Sequence, residues 1–86
     1  MKIILHKTFK KQYKKLSQLH QCQFRERRNL FLQNPFHPLL NNHVLHGVYQ
    51  GCRSISITGN LRVIYEEINS DAVYFIALGT HSELYE

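Results

Sequence analysis

Two histidines and two arginines, far apart in the chain, carry the chemistry available to this sequence. His43 stands in the run Asn41-Asn42-His43-Val44-Leu45-His46-Gly47, and His81 in the run Gly79-Thr80-His81-Ser82-Glu83-Leu84-Tyr85. Arg53 and Arg62 fall on segments that read as neighbouring strands. Histidine suits proton transfer, because its unperturbed pKa of about 6.5 lies near working pH. Arginine suits an anion, because its planar fork meets two oxygens of a phosphate at once. Each feature alone is weak: a lone surface histidine is usually incidental, and Gly-Thr often marks only a strand end. Their combination, and the order of the elements that hold them, raises the signal. Metal chemistry is not expected. There are six histidines, but the spacing of His37, His43 and His46 matches no H-E-x-x-H or other ligand pattern, and no cysteine pair completes a site.

The elements that must position these residues follow from periodicity. Lys2 to His6 is a short apolar run that suits a strand. Thr8 stands where a helix N-cap would be, and from Phe9 the apolar residues Phe9, Tyr13 and Leu16 recur on one face of an amphipathic helix. A second helix is expected from Gln18 to Gln33, with Phe24, Leu30, Phe31 and Leu32 inward and Arg25, Arg27 and Arg28 outward; Asn34-Pro35 closes it. Residues 36 to 51 read as a long connection with one short strand near Val44-Leu45, and a loop of that length in a small domain is usually functional. Three strand signals follow: Arg53 to Thr58, Leu61 to Glu66 and Ala72 to Leu78. Gly59-Asn60 reads as a two-residue hairpin turn, and Asn69-Ser70-Asp71 as the next turn. The expected fold is α+β, in the order β-α-α-β-β-β, with two N-terminal helices packed on a mainly antiparallel sheet.

At 86 residues the chain has room for one domain, residues 1 to 86, with one modest core. Charge is distributed unevenly within a net +5: residues 1 to 43 carry nine Lys or Arg against the single acid Glu26, and residues 44 to 86 carry only Arg53 and Arg62 against five acids. That asymmetry points to a polyanion, or an acidic partner segment, approaching the N-terminal half. The longest apolar run is too short to span a membrane, and the N-terminus lacks the features of a signal peptide, so a cytoplasmic protein is expected. Cys22 and Cys52 read as reduced packing or surface residues.

The run H-P-L-L-N-N-H-V-L-H-G-V-Y-Q-G-C-R-S-I-S-I-T-G-N-L-R-V-I-Y-E, with A-L-G-T-H-S-E-L-Y after it, resembles the RelE/ParE superfamily of toxins, and in particular its YafQ-like branch. The resemblance covers essentially the whole chain without insertions. It implies the RelE-like microbial RNase toxin fold and a metal-independent endoribonuclease that needs no cofactor and cuts mRNA in the ribosomal A site. It also implies a cognate antitoxin that wraps around the toxin.

By that resemblance His43 falls on the histidine of the family's H-x-L-x-G block, His81 on that of its G-T-H block, and Tyr85 on the aromatic position that closes it. Arg53 matches the arginine after the Gly-Cys step, and Arg62 the strand arginine with which RelE-like members hold phosphate. Cleaving RNA without a metal needs a base for the ribose 2'-OH, an acid for the departing 5'-oxygen and cations around the phosphate. His43 and His81 are the expected proton-transfer pair, Arg62 and Arg53 the phosphate ligands, and Tyr85 a base-stacking group. Lys7, Lys10, Lys11, Lys14 and Lys15 are expected to make nonspecific RNA contacts. The chain departs from the branch at Asn60, where an acid is usual, at Leu61, where an aromatic is usual, and at Ser56, where some members carry histidine. Asn60 cannot take a proton at neutral pH, so that contribution is lost or supplied by another group. Two alternatives stand beside the nuclease: a binding toxin of the ParE type, which acts on DNA gyrase, and an attenuated toxin that mainly binds its antitoxin.

Overall fold

A computed structural model describes residues 1–85, in the order β1 (Lys2–Leu5), α1 (Lys7–Lys14), α2 (Gln18–Gln33), β2 (His43–Val44), β3 (Arg53–Ser56), β4 (Leu61–Asn69), β5 (Ala72–Thr80) and α3 (His81–Tyr85). The five strands form one sheet in the order β1-β5-β4-β3-β2, with β1 parallel to β5 and every other pair antiparallel.

Helix α1 starts two residues before Phe9. The cap is His6 rather than Thr8: its imidazole Nδ1 accepts from the Thr8 amide at 3.0 Å and so satisfies one orphan donor of the first turn. Helix α2 has the expected bounds, with the Ser17 hydroxyl accepting from the His20 amide at 3.1 Å. Phe24 and Phe31, seven residues apart and so two turns along one stripe, are its buried residues, whereas Leu32 faces solvent instead of the core. On the sheet face under these helices, Phe9, Phe24 and Phe31 pack against Ile55, Ile57, Leu61, Val63, Tyr65 and Phe75. Phe31 meets Tyr65 edge-on at 5.1 Å and Phe75 at 5.7 Å, the offset geometry that aromatic rings prefer.

A smaller cluster of Leu45, Cys52, Ile64, Ala77 and Leu84 covers the other face. Burial pushes the Cys52 thiol up and nearby Glu66 adds to the effect, which makes it a packing residue rather than a nucleophile.

The β3–β4 connection is where the turn differs from expectation. Neither Gly59 nor Asn60 has the positive φ that a two-residue hairpin turn of the Asn-Gly kind requires. The Thr58 hydroxyl instead accepts from the amides of Asn60 at 3.3 Å and Leu61 at 3.0 Å, and shapes a wider bend. A two-residue turn would have paired Ser56 with Val63; the bend pairs it with Arg62. Such a one-residue slip exchanges the faces of a whole strand relative to its neighbour. Here it puts Ile55 and Ile57 with Leu61 and Val63 in one core, and it separates the two strand arginines. Farther along, β5 carries an extra residue, Ile76, between the partners of Ile64 and Tyr65. This bulge lets Phe75 and Leu78 both face the helices while Ala77 and Gly79 face the other side.

Candidate active site

The face opposite α1 and α2 bears an open cleft of about 460 Å³, lined by Asn41, His43, Val44, Leu45, His46, Arg62, His81 and Tyr85. Sheet register brings these residues together. His43 on β2 is paired with Ser54, which is paired with Ile64; Arg62 is paired with Gly79, two residues before His81.

His43 is exposed, and its Nδ1 lies 2.8 Å from the Asn41 carbonyl oxygen. A carbonyl only accepts, so Nδ1 carries the hydrogen in the neutral ring and Nε2 keeps a lone pair. Arg62 is half-buried; its Nη1 donates to the Ser56 hydroxyl at 3.2 Å, and its buried Nε has no partner among the described residues. The guanidinium lines the cleft, and its planar fork suits an anion there.

His81 and Tyr85 are presented by α3, which periodicity did not reveal because five residues hold too little of it. The missed signal was Thr80-x-x-Glu83. The Thr80 amide donates to Glu83 Oε1 at 2.8 Å, and the Glu83 amide donates to Thr80 Oγ1 at 3.2 Å, a reciprocal capping box. The Thr80 amide and then its hydroxyl hold the Glu83 carboxyl below the usual range. Gly79 lets the helix fold back closely, since a Cβ there would lie 3.3 Å from Glu83 Cβ. One turn apart on α3, the His81 and Tyr85 rings pack in a tilted arrangement 4.7 Å centre to centre, and Tyr49 meets Tyr85 edge-on at 5.9 Å.

Not every expected site residue joins the cleft. Arg53 lies on the helix-side face opposite Tyr65, with its Nε donating to Asn42 Oδ1 at 2.8 Å and its guanidinium 5.2 Å from the Phe36 ring centre. Asn60 is exposed in the bend before β4 and is not part of the cleft lining. The exposed lysines of α1 are also away from it. Lys10 and Lys14, with Arg28, border a separate groove of about 350 Å³ floored by Leu5, Phe9, Tyr13 and Phe24. Lys15 lies beside another cleft with Gln12, Gly79 and Glu83. His46, weighed in the sequence only as a metal ligand, lines the main cleft beside His43. His37 is occupied as a cap, its Nδ1 accepting from the Leu39 amide at 3.1 Å. Among the described residues no three His, Cys, Asp or Glu side chains gather into a metal-binding group, and no helix is long and apolar enough to cross a membrane.

Among solved structures, the fold is similar to YafQ from Escherichia coli BL21(DE3), at 20% identity and a TM-score of 0.82 over 98% of this chain and 97% of that one. It is similar also to a YoeB/ParE toxin from Agrobacterium tumefaciens, at 20% identity and a TM-score of 0.78 over 94% and 99% of the two chains. The toxin in the E. coli DinJ-YafQ toxin-antitoxin complex matches at 20% identity and a TM-score of 0.79, over 98% and 96%. No curated protein matches the sequence. Three helices on a mixed five-stranded sheet are thus the architecture of the RelE/ParE-like toxins. Within that class the chain belongs to the YafQ family, described as the bacterial toxin of type II toxin-antitoxin systems, which it matches over residues 1–86.

Proposed function

We propose that this toxin is a metal-independent endoribonuclease that cuts mRNA in the ribosomal A site. The observation that carries the reading is the convergence of His43, Arg62, His81 and Tyr85, from three distant parts of the chain, on one open cleft. His43 Nε2, free because Nδ1 is held by the Asn41 carbonyl, takes the proton from the ribose 2'-OH as that oxygen attacks phosphorus. Arg62 meets the phosphate oxygens as their charge redistributes. His81 gives a proton to the departing 5'-oxygen, leaving a 2',3'-cyclic phosphate and a 5'-hydroxyl. Tyr85, braced by Tyr49 and His81, stacks on a base.

The test is to incubate the protein with programmed ribosomes and map mRNA ends by primer extension. Wild type should cut within the A-site codon, and His81→Ala and Arg62→Ala should not. Absence of cuts from wild type overturns the reading, whereas cuts that survive His81→Ala overturn only the role of His81.

The proposed partner is a cognate antitoxin, in keeping with the DinJ-YafQ complex among the similar structures. The groove floored by Leu5, Phe9, Tyr13 and Phe24 has an apolar base and a cationic rim. Those features fit an acidic amphipathic helix better than an RNA backbone. It also adjoins β1, an edge strand of the sheet.

A further inference from the structure

Asn42 is not among the residues lining the cleft, yet its side chain joins three separate segments. Nδ2 donates to the Pro35 carbonyl at 2.9 Å and to the Tyr65 hydroxyl at 2.7 Å, and Oδ1 accepts from Arg53 Nε at 2.8 Å. Both amide hydrogens and the carbonyl are thus engaged. The anchors are themselves fixed. Tyr65 is 2% exposed and wedged against Phe31, and Arg53 is stacked on Phe36.

The peptide group joining Asn41 to Asn42 is planar, so with Asn42 anchored by its side chain the Asn41 carbonyl can turn only by rotation about the bonds flanking that plane. That carbonyl is the group that holds His43 Nδ1. The plane is held from its other end as well: Asn41 adopts a left-handed conformation, φ +46°, which asparagine tolerates, and its amide donates to the Pro38 carbonyl at 3.2 Å.

We propose that Asn42 is the positioning residue of His43. Clamped through the sheet by Arg53 and Tyr65, it aims the Asn41 carbonyl and thereby selects the tautomer whose Nε2 faces the reaction. Arg53 thus serves the cleft from the opposite side of the sheet, not by touching phosphate. The proposal rests on the reading of His43 as the base.

The readout is the tautomer itself, from long-range ¹H–¹⁵N correlation of the histidine rings in the intact protein, together with cleavage on programmed ribosomes. Wild-type His43 should show the Nδ1–H form. In Asn42→Ala that form should give way to a mixture, with His81 unchanged, and kcat should fall by about 10- to 100-fold as expected for a misaimed base, with ribosome affinity retained. Arg53→Lys and Tyr65→Phe, which each remove one clamp, should shift the same ring in the same direction by less. If Asn42→Ala fails to fold, these two variants carry the test. A folded Asn42→Ala, or both milder variants, with His43 still Nδ1–H overturns the proposal, as does an equal disturbance of His81. A wild type that cuts no RNA removes the nuclease reading alone, because the tautomer comparison still decides whether Asn42 positions the ring.

Discussion

Arg53 and Arg62 look equivalent in the sequence, and the structure gives them different work. Arg62 lines the cleft, with Nη1 on the Ser56 hydroxyl, while Arg53 is spent on Asn42 and Phe36. Arg62→Lys is therefore expected to lower cleavage about tenfold or more, because a single ammonium cannot reproduce two-point contact with phosphate. Single-turnover cleavage on ribosomes measures this, and thermal unfolding should show little change. The distinction was partly legible. Ile55 and Ile57 must share a core with Leu61 and Val63, and that requirement alone sets the register that sends the two arginines to opposite faces. Gly59-Asn60 drew attention to the wrong turn, because hydrogen bonding by the Thr58 hydroxyl outweighs the Gly-Asn preference. The role of Asn42 was not legible, since it depends on tertiary partners 11 and 23 residues away in sequence.

At the scale of the element, α3 has only five residues, too few to stand alone without its cap and the burial of Leu84. Thr80→Ala removes the side-chain half of the capping box at a cost of about 1 kcal/mol, falling on this helix more than on the whole fold. The expected outcome is weakened cleavage and broadened His81 and Tyr85 resonances, with a nearly unchanged melting temperature. Acid should act similarly. Because the Glu83 pKa is lowered in the folded chain, its stabilisation is present above the ordinary glutamate range and disappears as pH falls through the depressed value. The α3 resonances should loosen in that window and Glu83→Gln should remove the pH dependence, which an NMR titration checks. On the other face, reversing charge in Lys10→Glu with Lys14→Glu should weaken antitoxin binding, measured by calorimetry, while cleavage by the free toxin persists.

The whole molecule is a sheet with the candidate cleft on one side and an aromatic core with a basic groove on the other. The α+β order and the two N-terminal helices could be read from the sequence, α1 from the spacing of Phe9, Tyr13 and Leu16 and α2 from Phe24, Phe31 and the closing Asn34-Pro35; α3 and the clamp could not, being short or nonlocal. Phe31→Ala should destabilise the fold by about 3–5 kcal/mol, a large share of what so small a domain has, as urea unfolding would show. One further consequence lies in the place of β5, which sits between β1 and β4 and leads directly into α3. Lys2 to Leu5 find their partners only at Ala72 to Phe75, so the first strand waits for the last during synthesis. Ribosome-bound nascent chains ending before Ala72 should remain sensitive to protease. On the function proposed above, the sheet that carries the cleft is therefore completed only when synthesis is nearly over.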